Sequence, residues 1–278
     1  MRKICLITAL IVAGCNAPND DQALSEKEES GFDGADYRGK QEMLAYGERL
    51  VAVMNCHSCH GPDLTGGPFP PQNDPPTGII SANLTHAMKR LSDDEFETIL
   101  RTGRHPDGRD LYYMPSQIYR WMTDRDLKAL TAYLRTLEPK GEDEISQATP
   151  GYLASRKEDD AIIQPAAQMV ASTTGKEPPK LGDGLVQGRY IVMTSCAECH
   201  GGNLEGYAGF SPPLTVSSAY DDAQFDALLT TGKSFDGRDI GLMGMIGGYT
   251  YSHLTENERR QVIAYIRAWT EWKTAQSE

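Results

Sequence analysis

The sequence predicts an all-α protein built from two tandem copies of one small helical domain, joined by a long linker. Three observations predict it. A five-residue word occurs twice, as Cys56-His57-Ser58-Cys59-His60 and as Cys196-Ala197-Glu198-Cys199-His200. Four further blocks repeat around it in the same order. Apolar residues recur at helical spacing behind N-cap signals, and no strand signal of any length accompanies them.

The elements follow in chain order. Tyr46-Gly47-Glu48-Arg49-Leu50-Val51 matches Gln187-Gly188-Arg189-Tyr190-Ile191-Val192 in character, a helix running into each word. Past the words, Ser81-Ala82-Asn83-Leu84-Thr85 lines up with Ser211-Pro212-Pro213-Leu214-Thr215 as a loop. Ser92 with Glu95 is a capping box that opens a middle helix carrying Phe96, Ile99 and Leu100. The loop from Thr102 to Asp110 corresponds to the one from Thr231 to Asp239, Asp-Gly-Arg-Asp included. A closing helix starts at Thr123 and buries Leu127, Leu130, Leu134 and Leu137. Its second copy starts at the capping box Thr255/Glu258 and buries Val262, Ile263 and Ile266. These limits place one domain over residues 42–138 and the other over 184–274. Between them, residues 139–183 read as a linker punctuated by Pro139, Gly141, Pro150, Pro178 and Pro179, with room for a short helix between Ala161 and Ala171.

The word itself carries chemistry. Cys-x-x-Cys-His is the c-type haem attachment signature: two thiols add to the porphyrin vinyl groups and the histidine reaches the iron. A zinc site would need further cysteines or histidines at paired spacing, and none are left over. Nor is there material for a disulfide framework, since the other two cysteines, Cys5 and Cys15, lie at the extreme N-terminus. A thioredoxin-like pair would not repeat with a trailing histidine. Two covalently bound haem c groups are therefore expected, through Cys56, Cys59 and His60 and through Cys196, Cys199 and His200. A domain of under about 100 residues is small for a protein-only core, and a buried porphyrin supplies the missing apolar surface.

The opposite side of each iron decides between electron transfer and catalysis. Met114 lies four residues after Asp110 and Met243 four after Asp239, so the two methionines hold the same place in the repeat. They are the expected sixth ligands, with Met245 and His253 as rivals to Met243. His86 and His105 are weaker candidates at the first iron: His86 reads as a surface residue, and His105, whose repeat partner is Ser234, is not expected to have a structural role common to both copies. His57, inside the word, should point away from the metal. The ring N–H of each iron-bound histidine needs a fixed acceptor, for which the carbonyls of Ala82 and Pro212 are the candidates. The first domain also carries about ten extra residues between His60 and Ala82, rich in Gly and Pro from Gly66 to Pro76.

The N-terminus reads as an export signal. Arg2 and Lys3 precede an apolar run from Ile4 to Ala13, too short to span a bilayer. Val12-Ala13-Gly14-Cys15 resembles a lipobox, so residues 1–14 are expected to be a lipoprotein signal peptide and Cys15 the lipid-bearing residue; the alternative is an ordinary signal peptide with a chance cysteine. Residues 15–41, polar and acidic, read as a flexible tether to the membrane. The formal net charge of −12 makes nucleic acid an improbable partner; it suits attraction to a basic patch on a redox partner, or solubility alone.

Taken together, Cys59-His60-Gly61-Pro62-Asp63-Leu64-Thr65-Gly66-Gly67, Ile80-Ser81-Ala82-Asn83-Leu84-Thr85, Gly103-Arg104 with Asp107-Gly108-Arg109, Met114-Pro115 and Thr123-Asp124-Arg125-Asp126-Leu127 resemble the dihaem cytochrome c family, and within it the cytochrome subunits that accept electrons from membrane-associated dehydrogenases. The resemblance covers about Gln41 to Trp272 apart from the linker. It implies two class I cytochrome c-type domains, each wrapped around one haem, and a one-electron carrier on the periplasmic side of a bacterial envelope, with a dehydrogenase as donor and a cytochrome or oxidase as acceptor. The family's usual proline is replaced by Ala82, and no proline follows Met243. A dihaem peroxidase with one open iron is the enzymatic alternative. A thiosulfate-oxidising enzyme would need a spare cysteine, and a haem sensor would need a signalling domain.

Overall fold

The computed structural model describes residues 31–69, 78–155 and 164–276. The expected signal peptide, Cys15, most of the tether and the centre of the Gly/Pro-rich insertion lie outside those residues. In the first domain the elements are α1 (Lys40–Val53), α2 (Cys56–His60), β1 (Gly67–Phe69), β2 (Ile79–Ser81), α3 (Leu84–Arg90), α4 (Asp93–Thr102), α5 (Ser116–Tyr119) and α6 (Asp124–Thr136). The linker contributes β3 (Gln147–Ala148), α7 (Pro150–Ser155) and α8 (Ala166–Thr173). The second domain has α9 (Val186–Ile191), a π-helical turn (Val192–Cys196), α10 (Ala197–His200), α11 (Asp222–Thr231), α12 (Leu242–Tyr249) and α13 (Glu256–Ala275). Among the described residues no helix is long and apolar enough to cross a membrane.

In each repeat the helix entering the haem word crosses the closing helix at very close range, α1 on α6 and α9 on α13. The glycine that the two copies share at this point makes the crossing feasible. A Cβ on Gly47 would stand 2.1 Å from the Ala129 carbonyl oxygen, and one on Gly188 would stand 2.0 Å from that of Gln261. The capping boxes at Ser92 and Thr255 form with both reciprocal hydrogen bonds, and Thr123 caps α6 by accepting from the Asp126 N–H. An unanticipated third box, Asp221 with Gln224, opens α11.

Three features depart from the sequence expectation. A small antiparallel sheet, ordered β1-β2-β3, pairs the insertion with the linker. Its strands are two or three residues long, too short for an alternating pattern to register. The linker itself is strapped to the first domain. Asn83 Nδ2 donates to the carbonyls of Lys140 and Glu142 at 2.7 and 2.8 Å, the Ala166 N–H donates to Leu111 O at 2.7 Å, and Arg120 pairs with Glu177 at 2.7 Å.

Third, the stretch from Gly31, expected to belong to the tether, is wedged between the domains. Phe32, 1% exposed, meets the Tyr190 ring edge-on at 5.5 Å. Asp33 takes hydrogen bonds from Asn257 and Gln187 of the second domain. Composition marks this stretch as polar spacer because its partners are distant in the chain. The two domains thus share one continuous core, which also encloses the Asp126 carboxylate between the hydroxyls of Tyr46 and Tyr190, each 2.5 Å away.

Candidate haem sites

After each word the backbone takes the same course. Gly61 and Gly201 both have φ of 80°, and Leu64 and Leu204 are left-handed at 59° and 63°. The Gly66 N–H returns to His60 O at 2.8 Å, and Gly206 to His200 O at 2.7 Å. Leu84 N–H then donates to Leu64 O, and Leu214 to Leu204 O, both at 2.9 Å. The insertion enters only after Gly66, so it leaves this turn unchanged. The turn delivers a carbonyl to each histidine: His60 Nδ1 lies 2.7 Å from Ala82 O and His200 Nδ1 2.9 Å from Pro212 O. Alanine thus presents the same acceptor as proline, because the acceptor is main chain.

Each histidine opens on a cavity. The first is lined by Cys56, Cys59, His60 and Met114 together with Leu84, Phe96, Leu100 and Leu130. The second is lined by Cys196, Cys199, His200 and Met243 with Leu214, Phe225, Leu229 and Ile266. With Nδ1–H committed to a carbonyl, Nε2 is the lone-pair nitrogen left for a metal. Burial lowers the pKa of both histidines, which keeps the imidazoles neutral as a ligand must be. Burial, with the Glu198 carboxyl nearby, pushes the thiols of Cys56 and Cys199 up to about 12. Two neutral thiols, a neutral imidazole and a methionine around an apolar cavity fit a covalently attached haem.

The candidates for the far side of the iron separate by position. Met114 lies in the loop before α5, where the Ser116 N–H donates to its carbonyl at 2.8 Å and Ser116 Oγ anchors the loop to Ile99 O at 2.8 Å. Met243 lies in the first turn of α12, not in a loop as Met114 does. Gly247 lets α12 press against α11, since a Cβ there would stand 2.2 Å from Leu228 O. Met245 is 59% exposed, His253 is exposed, and neither lines the cavity. His86 Nε2 sits 3.2 Å from Gly141 O.

Both ring nitrogens of His105 are engaged, by Asp107 and by Arg109 at 2.7 Å. Its repeat partner Ser234 bonds Asp236 in the same way at 3.0 Å, so this position does have a structural role common to both copies, contrary to expectation. A histidine and a hydroxyl both reach a carboxylate two residues on, which a comparison of residue types does not reveal.

Two sets of residues escaped the sequence reading. Tyr119 and Tyr251 each line the cavity of their own domain, and Tyr119 donates to Met54 O at 2.8 Å. Each stands four residues before the cap of the closing helix, a signal the repeat contained. The other is Glu198, which belongs to the second word yet lines the first cavity. Burial raises its carboxyl to about 7. Thr250 of the second domain also reaches the approach to the first word, its hydroxyl donating to Asn55 Oδ1 at 2.8 Å immediately before Cys56. The second word thus contributes to the wall of the first cavity.

The model of the family described as cytochrome c matches residues 44–138 and 185–270. The chain is also 26% identical over 257 residues to the fructose dehydrogenase cytochrome subunit of Gluconobacter japonicus, a match covering 81% of this chain and 52% of that protein. It spans about half the length of this relative. Two matched family regions in tandem, each containing one haem word, place the chain in the cytochrome c family.

Proposed function

We propose that the protein is a dihaem one-electron carrier of a bacterial cell envelope, set between a dehydrogenase and a downstream cytochrome or oxidase. The observation that carries the reading is the convergence of His60 with Met114, and of His200 with Met243, on one cavity each. A bound haem supplies one-electron cycling of its iron between ferrous and ferric, and histidine–methionine ligation raises its potential. The chain's own residues do the rest. Cys56, Cys59, Cys196 and Cys199 would hold the group, the carbonyls of Ala82 and Pro212 orient the imidazoles, Met114 and Met243 would each supply a further ligand, and the apolar walls would exclude water. The position of Glu198, in the second word and in the wall of the first cavity, favours exchange of electrons within the molecule. The relative named as a dehydrogenase's cytochrome subunit supports a donor of that class. Residues 1–14 as a lipoprotein signal and lipid on Cys15 would tether the domains to the periplasmic side of a membrane.

Mass spectrometry of the mature holoprotein tests the reading, with spectra and peroxide kinetics. We expect two added haem groups, lipid on Cys15, a weak far-red methionine-to-iron band in the oxidised protein and negligible peroxide turnover. Rapid turnover of peroxide would overturn the carrier reading in favour of a peroxidase.

A further inference from the structure

The two cavities differ at their mouths. Among the described residues, none that lines the first is exposed. Its half-buried rim tyrosines pack against the insertion and the linker: Tyr113 meets the Phe69 ring at 5.6 Å and Tyr112 that of Tyr152 at 5.9 Å. The second cavity has an exposed apolar rim, with Phe210 47% and Leu242 44% exposed. Leu242 continues along α12 into Met245 and Tyr249, 59% and 58% exposed. These three are spaced i, i+3 and i+7, so they form one stripe of the helix, beside the stripe of Met243 and Ile246 that lines the cavity.

The two chain segments that carry this rim contain no charged side chain. Residues 206–220 and 240–252 contain no Asp, Glu, Lys, Arg or His, in a chain of which 24% is charged. An apolar, uncharged patch of this kind marks an interaction site. A lipid surface would call for a basic rim, whereas Arg238 beside the second segment is paired with Asp236, and Glu205, Asp221 and Asp239, which adjoin the segments, are acidic. A stable dimer would call for roughly 2,000 Å² or more, whereas an eight-residue helix is about 12 Å long, the scale of a weak redox encounter.

We propose that the Leu242–Met245–Tyr249 stripe, with Phe210, is the docking face of a redox protein whose own cofactor-bearing surface is apolar and uncharged. The proposal rests on the carrier reading above and adds to it that electrons are exchanged with the partner at the second domain, whose cavity is the one with an exposed apolar rim.

The test compares native holoprotein, the double variant Met245→Glu/Tyr249→Glu and the control Leu153→Glu, which alters an exposed apolar residue of α7 in the linker. The probe is washed membranes of the producing cells, and the readout is the rate at which they reduce or oxidise the haems. Two carboxylates forced into an apolar contact should slow exchange about tenfold or more, while the control keeps the native rate. Raising the salt should leave the native rate nearly unchanged. Intact far-red bands in all three proteins show that they are folded.

A double variant that exchanges electrons at the native rate sinks the docking face alone. Native protein that exchanges none sinks the carrier reading and this proposal with it. Flotation with phosphatidylcholine–phosphatidylglycerol vesicles that weakens in the double variant would assign the face to lipid. A native dimer that the double variant dissociates would assign it to a second copy. Either result overturns the proposal.

Discussion

Arg49 of the first domain grips Glu258 of the second through two parallel hydrogen bonds, Nη1 to Oε2 and Nη2 to Oε1, each 2.9 Å long. Glu258 is fully buried and also accepts from the backbone N–H groups of Thr255 and Asp33. The third residue of a capping box is thereby turned into the anchor of a domain interface. Replacing Arg49 with Ala strands a buried carboxylate, and we expect a loss of roughly 3–5 kcal/mol. Denaturant unfolding of the holoprotein measures it; a loss below about 1 kcal/mol would be that of an ordinary surface pair.

Asp126 predicts a pH dependence. Burial raises its pKa above the value of 3.8 at which it would ordinarily titrate, in spite of the hydrogen bonds from Tyr190 and Tyr46. An acid whose folded pKa is raised binds more protons folded than unfolded, so its contribution to stability is full below about 3.8 and declines as the pH climbs through the folded value. The stability of native protein relative to Asp126→Asn should therefore fall as pH rises from the unfolded pKa. Urea titrations at several pH values decide it, and a difference that grows with pH refutes the assignment.

Asp33 has the opposite sign. Burial works to raise its pKa but is outweighed by the hydrogen bonds of Thr255, Gln187 and Asn257 and by the charge of Arg49, so the net shift is downward. Its stabilising contribution is present above the ordinary carboxylate range and disappears as the pH drops through the folded pKa. Asp33→Asn should lower stability at neutral pH and flatten the acid limb of the curve. An unchanged acid limb would show that the wedge segment is not held through this side chain.

The cavities predict which methionines matter to the irons. Met114→Ala should open the first iron to carbon monoxide, Met243→Ala the second, and each should remove part of the far-red band. Met245→Ala should leave the spectrum as it is. Carbon monoxide binding in Met245→Ala with none in Met243→Ala would reverse the assignment.

The helix crossings at Gly47 and Gly188 tolerate no side chain. Alanine at either place puts a methyl group against a carbonyl of the closing helix and should cost about 3 kcal/mol or more through displacement of α1 or α9. Yields of folded holoprotein and unfolding midpoints measure this; an alanine variant as stable as the native protein contradicts the close approach.

Much of this arrangement is local and therefore readable from the chain. The haem words, the caps at Ser92, Thr123 and Thr255, and the carbonyls of Ala82 and Pro212 all depend on residue type and short spacing. Duplication extends that reach, because a residue found twice in the same place, as Met114 and Met243 are, is marked without any knowledge of the fold. The tandem helical cytochrome c architecture follows from the same signals.

Contacts between residues far apart in the chain left no such trace. That Phe32 and Asp33 belong to the interface, that the linker packs against the rim of the first cavity, that Glu198 walls the cavity of the other domain, and that Met243 lines a cavity while Met245 faces solvent were all decided by packing. About half a helical turn separates an inward from an outward side chain, and an interface partner more than 200 residues away contributes nothing to local periodicity. Residue chemistry at short range set the two haem words and their turns; burial between distant segments set how the two sites meet each other and which methionines line them.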